Sequence, residues 1–213
     1  AQTSKLTVEE DPRIQISAAD RAARSDLGLQ LADDYRKADA AQKQVTGLRR
    51  SIEGMQASWR QPDAVKPPEA LQKQTQETLK KLLEAGTPFI GRAAAEARPG
   101  QGGQGGPGGG GGGGGAGGPL VYNPPALSQQ IGRVIFELDR YTAAPSPTIK
   151  EEVSDIQAHL GPALDNLKKV VDGDVANLNK ALNDANIPRV VVMPPPPQRQ
   201  QPGEGGDTED PQP

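Results

Sequence analysis

Cysteine is absent from the 213 residues, histidine occurs once, and aromatic side chains make up only 3% of the chain. The first absence removes any disulfide framework and any thiolate metal site. The second removes paired-histidine metal ligation and leaves His159 as the one residue on which a serine–histidine–aspartate arrangement would depend. His159 stands one position before Leu160, beside an apolar stripe, with no serine or cysteine motif near it. It reads as an ordinary helix-flank side chain. Hydrophobic residues amount to 34%, which leaves little material for a broad core. No run approaches the roughly 18 apolar residues that a membrane span needs. The 24 basic and 27 acidic residues are mixed along the chain, so neither nucleic acid nor a membrane is expected as a partner.

Glycine (26) and proline (21) are plentiful instead. They gather outside the periodic apolar segments, so helices and linkers share one chain. Lys5-Leu6-Thr7-Val8 alternates like the last strand of an upstream β domain, and Glu9-Glu10-Asp11-Pro12-Arg13 is a charged junction whose proline ends any ladder. Residues 1–16 are therefore assigned to the end of such a domain and its junction. The Ala1-Gln2 opening reads as the start of a piece cut from a longer protein.

Ser17, with Asp20 three residues on, marks a helix start. Leu27, Leu31, Ala38, Ala41, Val45, Leu48, Ile52, Met55 and Trp59 then recur at threes and fours up to Gln61 and Pro62, predicting a rod of about 60 Å. The small Ala38 and Ala41 imply close approach of a neighbour, or else a polar pocket around Asp34 and Tyr35. Close packing is the reading taken. A short proline-rich loop turns the chain back into a second helix with Leu71, Thr75, Leu79, Leu82, Phe89 and Ala93, which Gly86 and Pro88 should kink or split. The first hairpin covers residues 17–98. Residues 99–125 form a Gly/Pro-rich flexible linker, since near-pure glycine has nothing to bury and much entropy to lose.

After Pro124-Pro125 come Leu127, Ile131, Val134, Ile135, Leu138 and Tyr141, and then the stretch with the most regular stripe. Ile149, Val153, Ile156, Leu160, Leu164, Leu167, Val171, Val175, Leu178 and Leu182 line one side of a helix that Thr148 and Glu151 should cap and Gly161-Pro162 should bend. The second hairpin covers residues 126–187. Residues 188–213 read as a Pro-rich disordered tail, in which Val190-Val191-Val192 leaves the bundle.

The candidate chemistry is thin. The glycine run lacks the strand, helix and Lys-Ser/Thr of a phosphate cradle. Asp172-Gly173-Asp174 with Asn177 and Asn179 resembles a piece of a calcium loop but lacks the closing glutamate, so a helix surface or local kink is the better reading. Asp33-Asp34 and Glu151-Glu152 look like solvated helix faces. Trp59 reads as a cap on one end of the bundle. Pro194 to Pro197 could serve as a polyproline ligand, and a plain tail is preferred. No catalytic, cofactor-binding or metal-binding residue is assigned, and no cofactor is expected.

Three stretches carry a family resemblance. They are Leu6-Thr7-Val8 leading to Asp11-Pro12-Arg13-Ile14 and a long helix, Pro147-Thr148 opening another, and Asp174-Val175-Ala176-Asn177-Leu178-Asn179 closing on Asn186-Ile187-Pro188. This order resembles the C-terminal helical region of secreted bacterial proteins with sortilin-like, BNR-repeat β-propellers, often labelled glycosyl hydrolases. The long glycine insert departs from that pattern. The resemblance implies a secreted or periplasmic setting and upstream β-propeller and β-sandwich domains as partners. Any active site of such a parent would lie outside these residues. The reading is an all-α fold, an elongated antiparallel four-helix bundle of two hairpins. Its expected role is that of a noncatalytic accessory domain that spaces, docks or oligomerises. The alternatives are a self-associating coiled-coil module that forms a homo-oligomer, and a part of a glycosyl hydrolase.

Overall fold

The computed structural model describes residues 16–64, 66–96, 124–140 and 142–191. The expectations for the opening strand and junction, the helix end at Arg98-Pro99, the glycine run, Tyr141 and the tail from Val192 onward lie outside these residues. The secondary structure is helical throughout the described residues. It comprises α1 (Ala18–Trp59), α2 (Glu69–Ile90), α3 (Arg92–Glu96), α4 (Leu127–Arg140), α5 (Pro147–Lys169), a π-helical turn (Val170–Val175) and α6 (Ala176–Asp184).

Local chemistry sets the boundaries. The Ser17 Oγ accepts from the Asp20 N–H at 3.0 Å and its hydroxyl donates to the Asp20 carboxylate at 2.7 Å, placing an acid at the positive end of α1. Helix α2 does not split at Gly86 or Pro88; it runs on to Ile90 and ends where Gly91 turns to φ 78°. Pro88 stands so near that end that little helix remains beyond it to be bent. At the entry of α5 the cap is Ser146, whose Oγ accepts from the Ile149 N–H at 3.2 Å, rather than Thr148. Pro147 has no N–H to offer and suits the first helical position, which moves the cap one residue earlier. Helix α5 passes through Pro162 unbroken. At the far end Asn186 adopts φ 55°, and the Ile187 N–H donates back to the Leu182 carbonyl at 2.9 Å. This is a left-handed cap, and Pro188 follows it.

The helices stand in three columns rather than the four expected. Helix α1, 42 residues long, is the first. Both α2 and α4 pack against it, at different heights. Near the start of α1, Arg24 reaches Asp139 at 3.9 Å, a Cβ built on Gly28 would stand 3.8 Å from Leu138, and Tyr35 lies over Gly132. Ser128 donates to Gln42 at 2.9 Å. Farther along, Val45 packs on Gly86 and Arg49 donates to the Ala94 carbonyl. Thus α4 covers the first part of α1 and α2 covers the rest, both antiparallel to it. The junction between them is close, for a Cβ built on Gly91 would lie 4.0 Å from the Ala126 nitrogen. With 22 and 14 residues, α2 and α4 together cover most of the 42 residues of α1, and neither does alone.

Helix α5, the π turn and α6 make the third column, with α5 packed on α4 and on both other helices, and α6 packed on α2. Arg133 donates to Glu152, Gln157 to Asp34 and Lys81 to Asp174, which keeps this column parallel to α1. The chain therefore runs up, down and up. One apolar core joins the columns, with Leu31, Val45, Ile52, Leu82, Phe89, Ile131, Val134, Val175, Leu178 and Leu182 among its buried members. Val190 does not leave the bundle: it is buried on the same core.

Candidate functional site

Two part-buried polar contacts, one between columns and one between α6 and the segment that follows it, are the most specific features that the fold assembles. Asp34 was expected on a solvated face and is instead only 7% exposed. Its carboxylate accepts from the Gln157 side-chain amide at 3.2 Å and lies 3.5 Å from the Lys37 ammonium. Ala38 and Ala41 beside it are buried, so close packing and a polar contact occur together on this stretch of α1. Asp33 keeps to the outer face, where the Lys37 ammonium at 2.6 Å holds its carboxyl below the usual range, through their hydrogen bond first and charge second.

The second contact involves Asn179. Its amide donates to the Val190 carbonyl at 3.2 Å, and its oxygen accepts from the Val190 N–H at 2.8 Å. The side-chain amide therefore satisfies both backbone polar groups of one residue, much as a strand neighbour would. Sequence reasoning placed Asn179 with the calcium-like acids and missed this role. The one available signal was the apolar Val190 two residues after a helix-stopping proline.

The other sequence candidates separate. The stretch Asp172-Gly173-Asp174 falls in the π-helical turn, a local deviation of the kind expected. Its acids diverge: Asp172 takes Lys168 at 2.5 Å on its own column, and Asp174 takes Lys81 on α2, also at 2.5 Å. His159 is exposed, and its Nδ1 sits 2.6 Å from the Asp155 carbonyl, which fixes the proton on that nitrogen. Trp59 is half-buried against the core at the end of α1. Glu151 is exposed, and Glu152 accepts from Arg133. Among the described residues, no three metal-ligating side chains converge, no helix is long and apolar enough to cross a membrane, and every buried side-chain polar atom has a partner.

An open groove of about 580 Å³ runs between the end of α1, α2 and α3, floored by Leu79 and Leu83 and bordered by Arg60, Lys80, Arg92 and Glu96. Its charges pair within their own helices, Lys80 with Glu84 at 3.9 Å and Arg92 with Glu96 at 2.6 Å. Such a surface presents no field of one sign. Comparison of the chain with family models, curated proteins and solved structures finds no match.

Proposed function

We propose that this chain is a noncatalytic spacer, an accessory helical domain of an exported β-propeller protein that holds its neighbours apart. One observation carries the reading: an odd number of columns. The chain enters beside Ser17 at one end of α1 and leaves through Val190 beside α6 at the other, so entry and exit are separated by the length of the bundle. At ~1.5 Å per residue, the 42 residues of α1 set that separation at about 60 Å. An even number of columns would return the exit to the entry and suit a docking knob instead. The β-propeller parent and the exported setting rest on the sequence resemblance.

The absence of cysteine allows a direct test. Ala18→Cys and Asp184→Cys place labels on exposed residues at the two ends. Pulsed electron–electron resonance should report a single population near 60 Å, and a main distance under about 30 Å would exclude the spacer. Self-association is the second reading, favoured by Leu29 and Phe136, which are 68% and 62% exposed. A mass that doubles with concentration and reverts in a Phe136→Ser variant would replace spacing with pairing.

A further inference from the structure

The geometry points to a modular insertion: we infer that residues 92–125 are spliced into the middle of the second column, and that the three-column framework is complete without them. This goes beyond the spacer reading and does not depend on it. The sequence alone presents this stretch as a linker that brings one hairpin back to meet another. Such a linker must span whatever distance separates the hairpins.

Three observations carry the insertion instead. First, the two borders nearly touch, with a Cβ on Gly91 lying 4.0 Å from the Ala126 nitrogen. The excursion begins and ends at one place. Second, α2 and α4 point the same way on either side of that place and share the surface of α1, and their 22 and 14 residues fill one column beside the 42 of α1. Third, the described residues between the borders, 92–96 and 124–125, contribute none of the buried core residues. Helix α3 contains no buried residue, and Pro124 and Pro125 are exposed, whereas Ala126, Leu127 and Ser128 immediately beyond are buried. Among the described residues, the contacts that removal would forfeit include the Arg49 bond to the Ala94 carbonyl, the Arg92–Glu96 pair and the Gln130 amide bond to the Pro125 carbonyl. Shortening a closed loop also lowers the entropy that folding must overcome.

The waist of the bundle is thus a permissive site that carries an appended segment, and whatever that segment binds is separable from the framework. The test is a series of three shortened chains in which Gly91 is joined to Ala126 directly, through two glycines, or through four. At least one should elute as a monomer, keep the helical signal expected for the remaining helices, and melt at or above the temperature of the full chain. Exchanged dimers from all three joins, or the failure of all three to give a cooperative monomer, would overturn the insertion. Replacing residues 101–118 by an equal length of Ser/Gly sequence in the full chain should leave its melting temperature within a degree or two. A loss of more than ten degrees would show that these residues belong to the framework.

Discussion

A Cβ placed on Gly86 would stand 2.5 Å from Cγ1 of Val45, so α1 and α2 approach at this level only because one of the facing residues has no side chain. Gly86→Ala should therefore destabilise the bundle by about 1–3 kcal/mol through overpacking, although alanine is the better helix former by about 1 kcal/mol. Urea denaturation measures the change. Adding Val45→Ala should recover part of the loss by making room. A Gly86→Ala chain more stable than the parent would mean that the columns are not in contact there.

Asp34 and Gln157 make a second, opposite kind of close contact. Gln157→Leu strips the buried carboxylate of its partner on α5, a loss expected to cost about 1–3 kcal/mol. Replacing both residues with leucine should return stability to near the starting value or above it, because a buried polar pair is often no better than apolar packing. A double-mutant cycle in denaturant reads the coupling, and strict additivity would show that the two side chains do not meet.

The Asn179 clamp predicts a local effect. Asn179→Leu keeps the bulk and removes both bonds to Val190, so hydrogen exchange at the Val190 amide should speed up by tenfold or more. Global stability should fall by only about 1–2 kcal/mol, the worth of one or two hydrogen bonds. Unchanged protection at Val190 would refute the clamp.

Asp174 holds the Lys81 ammonium above the ordinary lysine range, by hydrogen bonding first and charge second. A raised folded-state value means that the contribution is complete below the unfolded lysine value and is lost as pH rises through the folded one. The melting temperature should therefore fall at strongly alkaline pH, and Lys81→Gln should flatten part of that fall. Parallel alkaline profiles for the two chains would remove this pair from the balance between α2 and the third column.

Much of the fold was legible because burial on a helix leaves a periodic trace. Leu31, Val45, Leu48 and Ile52 recur at the helical period and all lie in the core, and Ser17 announced its cap by chemistry alone. The π turn left no such trace: the two successive steps of four from Leu167 through Val171 to Val175 also occur from Ile156 through Leu160 to Leu164, inside the regular helix α5.

What could not be read was partnership. Gly86 looked like a helix breaker, since local propensity carries no knowledge of Val45 across the groove. Asp34 looked solvated like Asp33, because its burial depends on Gln157 at a sequence separation of 123. A stripe states that a helix needs a neighbour and not which one. The column count was missed for this reason: α2 and α4 each show an apolar face, and only the approach of Gly91 to Ala126 reveals that they take turns on the same helix.

The odd number of columns also fixes how the molecule would bear a load. Tension applied through its two ends runs along the helix axes, so the columns must slide past one another instead of peeling apart one turn at a time. Resistance would then be shared along the whole seam, with the interlocked Val45 and Gly86 acting as a detent against slip.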